Sequence, residues 1–166
     1  MTPAARRGLG FGLAFVVLAL DQASKWWILH HVMNPPRVIP LTSFFNLVLG
    51  YNRGVSFGMF GDGEEIGRWA LVVLALVIAV ALAVWLARAE KPLLAAALGL
   101  IIGGALGNVI DRAWIGAVVD FLDFHAYGYH WPAFNVADSG ITVGAAILII
   151  DSVFGAEAGP DAEKKR

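Results

Sequence analysis

The chain has 166 residues, 58% of them hydrophobic and 15% charged, with a mean hydropathy of +0.70, a balance too apolar for an ordinary soluble domain. A formal net charge of -1, with basic residues scattered rather than gathered into a stripe, gives no footprint for a nucleic-acid partner. The absence of cysteine excludes disulfides, thiol nucleophiles and cysteine metal sites.

Arg6 and Arg7 precede an apolar run from Leu9 to Leu20, which has the charge order of a signal peptide. The run continues through Asp21-Gln22-Ala23-Ser24-Lys25 into Trp26-Trp27-Ile28-Leu29 with no small-x-small cleavage site. It therefore reads as a first membrane span over about residues 9–29, with the two tryptophans in an aromatic belt. Asp21 and Lys25 form an i, i+4 pair near its outer end.

From about 34 to 67 the pattern changes to Pro-Pro, Asn, Gly and short mixed runs, the signature of turns and short strands. Val38-Ile39, Phe44 to Leu49 and Val55-Ser56-Phe57 are the candidate strands of a small β-containing unit lying on the bilayer. Spans are predicted over about 68–87, 93–111 and 135–151, with a second extramembrane segment over about 113–132. No linker divides residues 1–155, which form one integral membrane domain, and residues 156–166 read as a disordered tail of Gly, Pro and charge. Arg6, Arg7, Arg88, Lys91 and Lys164-Lys165-Arg166 fall on one side of this four-span arrangement, which predicts that both termini are cytoplasmic.

The third span carries Gly99, Gly103 and Gly107 at i, i+4, i+8, a small-residue ridge for close helix packing. Asn108, Asp111 and Arg112 extend that side toward the helix end. Depth then brings polar groups from different helices together. Asp21 lies roughly 14 residues beyond Arg7, Asn108 roughly 16 beyond Pro92 and Asp138 roughly 13 before Asp151, so each sits roughly 20 to 24 Å from the same membrane face. Asp120 can return from the second extramembrane segment to the same level.

Two carboxylates brought together in a partly dehydrated site retain one proton between them. The ionised member then activates water and the protonated member protonates the departing group. Asp120 and Asp138 are the preferred pair, because Asp21 and Asp111 have cationic neighbours in Lys25 and Arg112; helix-capping or interfacial roles for Asp120 and Asp138 are the alternative. A His-Glu-x-x-His run is absent, which removes that zinc-peptidase pattern. A Ser–Lys peptidase using Lys25 with Ser56 or Ser139, a proton-coupled carrier and a non-enzymatic assembly protein stay open on the residues alone.

Five blocks, in order, resemble the lipoprotein signal peptidase family, the type II signal peptidases of bacteria. They are Asp21 to Lys25, Asn52 to Gly58, Gly103 to Arg112, Gly116 to Phe121 and Phe134 to Ser139, and the resemblance covers about residues 9–152. It implies a four-helix α-helical membrane peptidase with a small periplasmic β-cradle, in the bacterial inner membrane. It implies a catalytic dyad at Asp120 and Asp138, with Asp21, Lys25, Asn52, Gly54, Asn108, Arg112 and Asn135 lining or supporting the site. The implied substrate is a prolipoprotein whose cysteine already carries diacylglycerol, cut just before that cysteine while its acyl chains stay in membrane lipid. No metal or organic cofactor is implied, and a monomer is expected.

Overall fold

The computed structural model describes residues 1–54 and 63–155. The strand predicted at Val55-Ser56-Phe57, the serine candidate Ser56 and the tail predicted over 156–166 lie outside the described residues.

Four helices carry the architecture: α1 (Pro3–Trp27), α2 (Gly63–Ala87), α3 (Pro92–Trp114) and α4 (Val136–Gly155). Each contains a stretch long and apolar enough to cross a membrane. The Thr2 hydroxyl accepts the Ala5 N–H at 3.2 Å to start α1, and Pro3 occupies a first-turn position, where its missing N–H costs nothing. A single π-helical turn, Ile28–Val32, prolongs α1 past the tryptophans.

Helix α3 is the axis of the bundle and packs against the other three. Its glycines explain how. A Cβ at Gly99 would strike the Gly10 carbonyl and one at Gly103 the Ala14 carbonyl, both on α1, while one at Gly104 would strike the Ala137 carbonyl on α4. Only residues without a side chain permit these backbone approaches. Ala14, Leu86, Ala95, Leu98 and Ile102 fill the apolar centre. Outward-facing Phe15 and Leu20 on α1, Val73, Val77 and Val80 on α2, and Ile149 and Ile150 on α4 remain exposed, as lipid-facing side chains must.

At one end of the bundle lies a four-stranded antiparallel sheet in the order β1 (Ile39–Pro40), β2 (Phe45–Asn52), β3 (Val118–Ala126), β4 (Tyr129–His130). Its longest strand, β3, falls in the second extramembrane segment, whereas the sequence pattern placed candidate strands only in the first. Residues Val118 to Phe121 are buried throughout, so the period-2 alternation that marks a half-exposed strand is absent. Gly116, at φ +90°, turns the chain from α3 into β3, a left-handed conformation suited to glycine just past a helix end. Phe134 then bridges to Leu122, with the Phe121 and Leu122 N–H groups donating to its carbonyl at 3.0 and 2.9 Å. This pins the start of α4 against β3.

Candidate active site

Asp120 and Asp138 arrive from different elements, and Asn135 joins them. Asp120 is on β3 and 4% exposed, opposite Gly50 of β2. Asp138 is in the first turn of α4. Asn135, fully buried just before that helix, donates from Nδ2 to Asp120 Oδ1 at 2.7 Å, and its Oδ1 accepts the Asp138 backbone N–H at 2.9 Å. Asp138 Oδ2 reciprocates by accepting the Asn135 backbone N–H at 3.3 Å. This is a capping box with asparagine as the cap and aspartate as the third helical residue. The requirement for a helix start thus places one carboxylate beside the other.

Asn108 of α3 completes the bridge, donating from Nδ2 to Asp138 Oδ1 at 2.8 Å. The three residues that depth counting set at one level, Asp21, Asn108 and Asp138, therefore converge through one network. Behind it, Lys25 is 2% exposed and donates to Asp21 Oδ2 and Asp111 Oδ2 at 2.8 Å each and to Asn108 Oδ1 at 3.2 Å. The cation beside Asp111 is thus Lys25 from α1, not its sequence neighbour Arg112, because adjacent residues on a helix point in different directions. Two residues outside the predicted site belong to this layer. Asp111 also accepts the Val119 N–H at 3.0 Å, and Gln22 donates to Asp111 Oδ1 at 2.9 Å. The signal for Asp111 was the i, i+3 spacing from Asn108, which puts both on the face toward α1.

Asn52 closes the site from β2. Its Oδ1 accepts the Gly54 N–H at 2.9 Å, which turns its amide NH2 toward Asp120, where it hydrogen-bonds the carboxylate. Gly54 has φ +88°, and a Cβ there would meet Leu71 of α2 at 2.5 Å. Arg112 lies in the combined field of Asp138, Asp120 and Asp111, and its Nε is buried with no hydrogen-bond partner among the described residues. Burial first, and the Asp138 charge second, push the Asp120 carboxyl up to about 6 against the opposing pull of Asn52, Asn135 and Lys25. A carboxyl there holds a proton well above the ordinary range.

The serine alternatives fare differently. Ser139 Oγ donates to the Asn135 carbonyl at 2.9 Å, and Lys25 is committed to its three acceptors, so these two do not form a nucleophile–base pair.

One buried and one partly buried carboxyl joined through one asparagine, at the end of a bundle built to span a bilayer, have the arrangement of a membrane hydrolase of the aspartic peptidase class. Residues 13–154 match the family model of signal peptidase (SPase) II, and the chain belongs to that family. It is 48% identical over 155 residues to a lipoprotein signal peptidase of Methylobacterium sp. (strain 4-46), covering 93% of both chains. It is 45% identical to a lipoprotein signal peptidase of Beijerinckia indica subsp. indica, covering 95% of this chain and 96% of that one. A bacterial membrane enzyme solved by the in meso method at 2.3 Å superposes with a TM-score of 0.73 at 29% identity, over 96% of this chain and 92% of the other.

Proposed function

We propose that Asp120 and Asp138 are the acid–base dyad with which this bacterial membrane protein cuts a diacylglyceryl-modified prolipoprotein just before its lipidated cysteine. As a member of the signal peptidase II family, the chain is an aspartic endopeptidase that removes signal peptides from prolipoproteins. The observation that carries the residue assignment is the Asn135 bridge: its side-chain amide donates to the Asp120 carboxyl of β3 and its backbone N–H to the Asp138 carboxyl of α4.

The ionised carboxylate takes a proton from water as the water oxygen attacks the scissile carbonyl carbon. The protonated carboxyl gives its proton to the carbonyl oxygen, so the tetrahedral intermediate is neutral. Collapse breaks the C–N bond: one hydroxyl proton returns to the carboxylate that gave its own away, and the carboxyl that took the water proton passes it to the departing cysteine nitrogen. Arg112, whose charge lies in the field of Asp138 and Asp120, stabilises the ionised member of the dyad. Asn52 and Gly54 line the β2 side and position the substrate backbone.

Arg6, Arg7, Arg88 and Lys91 cluster at the end of the bundle away from the sheet, which supports cytoplasmic termini and a dyad at the periplasmic face of the inner membrane. A signal helix then enters from the bilayer while the acyl chains stay in lipid. One chain encloses the whole dyad network, so a monomer suffices. The test is mass spectrometry of products from a purified prolipoprotein with and without the diacylglyceryl group. A single cut leaving the lipidated cysteine at the new N-terminus, with the unmodified substrate cut far more slowly, is expected. Equal cutting of both substrates, or a cut elsewhere, refutes the substrate assignment.

A further inference from the structure

We propose that Lys25 is a positioning residue which, by fixing the amide of Asn108, keeps Asp138 the ionised member of the dyad and leaves the shared proton on Asp120. The inference rests on the dyad reading above and assigns the one role that reading leaves open.

Donors and acceptors fix which way the amide points. An ammonium donates and never accepts, so the Asn108 atom facing Lys25 Nζ at 3.2 Å is the carbonyl oxygen. The Asn108 NH2 must then face the other way, onto Asp138 Oδ1 at 2.8 Å. The second oxygen of Asp138 faces the Asn135 backbone N–H at 3.3 Å, also a donor only. Both oxygens of Asp138 therefore accept, which is the pattern of a carboxylate. Its place in the first turn of α4 adds the positive end of the helix dipole. Asp120 also accepts amide donors, from Asn135 Nδ2 at 2.7 Å and from Asn52, but it has no such helix end and sits on a buried strand. Burial and the neighbouring Asp138 raise its affinity for a proton.

Lys25 also sets the frame that separates the two carboxyls. Its partners Asp21 and Asp111 each hold the backbone N–H of the residue just before a dyad aspartate: Asp21 Oδ1 accepts from Ala137 at 2.9 Å, and Asp111 Oδ2 from Val119 at 3.0 Å. The charged groups around the dyad are thus Lys25 and Asp21 from α1, Asp111 and Arg112 from α3, with Asn52 from β2 and Asn135 before α4 supplying neutral donors. Lys25 acts on the dyad through Asn108, Asp21 and Asp111, the three acceptors of its ammonium.

The test compares wild type, Lys25→Met, Lys25→Arg and Asn108→Leu, each checked for folding in detergent, by the pH dependence of kcat and by KM on lipidated prolipoprotein. Losing the oriented donor removes one of the two hydrogen bonds that the Asp138 carboxylate accepts. For folded Lys25→Met and Asn108→Leu, the acid limb of the kcat profile should move to higher pH by roughly one unit and kcat should fall at least ~tenfold, with KM changed less than about twofold. Lys25→Arg should recover part of the shift. An unmoved acid limb, with activity falling only with the folded fraction, overturns the inference and leaves Lys25 a structural residue. If Lys25→Met does not fold, infrared difference spectra near pH 5 decide on the aspartates alone. The protonated-carboxyl band should vanish in Asp120→Asn and persist in Asp138→Asn, and the reverse overturns the assignment. If Asp120→Asn and Asp138→Asn both still cleave, the dyad reading itself has failed, an outcome distinct from an unmoved acid limb with both variants inactive.

Discussion

Replacing Asp120 with asparagine should make the protein more stable at neutral pH while removing its activity, and the size follows from the site. The folded carboxyl titrates at about 6, against an ordinary value of 3.8. Between these pH values the folded chain holds a proton that the unfolded chain has released, so stability falls as pH rises through the window and levels off above it. The gap between the two values corresponds to about 3 kcal/mol, an upper bound because the Asp138 charge is part of its cause. The asparagine amide that replaces the carboxyl cannot ionise. The difference in unfolding free energy, Asp120→Asn minus wild type, should therefore grow by up to about 3 kcal/mol between pH 4 and pH 7. Reversible denaturation in detergent micelles at a series of pH values measures it, and groups that do not interact with Asp120 cancel. A difference that stays flat with pH, or grows toward acid, refutes the reasoning.

Gly103→Leu should destabilise the bundle by about 1–3 kcal/mol or more, since its side chain must displace the α1 backbone at Ala14; melting in micelles tests this, and a neutral effect would mean that α1 and α3 separate easily. Asn46→Leu should cost about 1–3 kcal/mol at pH 7, because Asn46 Nδ2 donates to the buried Asp123 carboxylate at 2.8 Å. Although burial raises the Asp123 carboxyl, hydrogen bonds from Asn46 and His130 bring it below the ordinary range. Its stabilisation is present above that range and is lost on acidification, so the variant should show a flatter acid limb in a denaturation series. Gly54→Ala should lower kcat/KM roughly tenfold, because an L-residue at φ +88° costs about 1–2 kcal/mol and the turn orients Asn52 over Asp120; unchanged kinetics would detach this turn from the site.

The helical part of this architecture was written plainly in the sequence. Stretches of apolar residues set four helices, and the Gly99, Gly103, Gly107 ridge marked where α3 meets α1. Counting depth along three helices brought Asp21, Asn108 and Asp138 to one level, and the structure joins them through Lys25 and Asn108. What resisted reading was β3. Its first residues are buried on both faces, and the aspartates at 120 and 123 sit in a run that shows no alternation. The partner of Asp111 was also hidden, since a neighbouring arginine in sequence is not a neighbour in space on a helix. Nor did composition mark the Asp123, Asn46 and His130 cluster, whose members come from three different strands and meet only through antiparallel register.

The central claim is that Asp120 and Asp138 carry out the hydrolysis together. The most direct measurement is cleavage of a purified, diacylglyceryl-modified prolipoprotein by wild type, Asp120→Asn and Asp138→Asn, each shown to be folded in the same detergent. Wild type should release the signal peptide, and each variant should fall by at least ~100-fold, as loss of an acid–base group requires. Substantial cleavage by either folded variant would contradict the dyad.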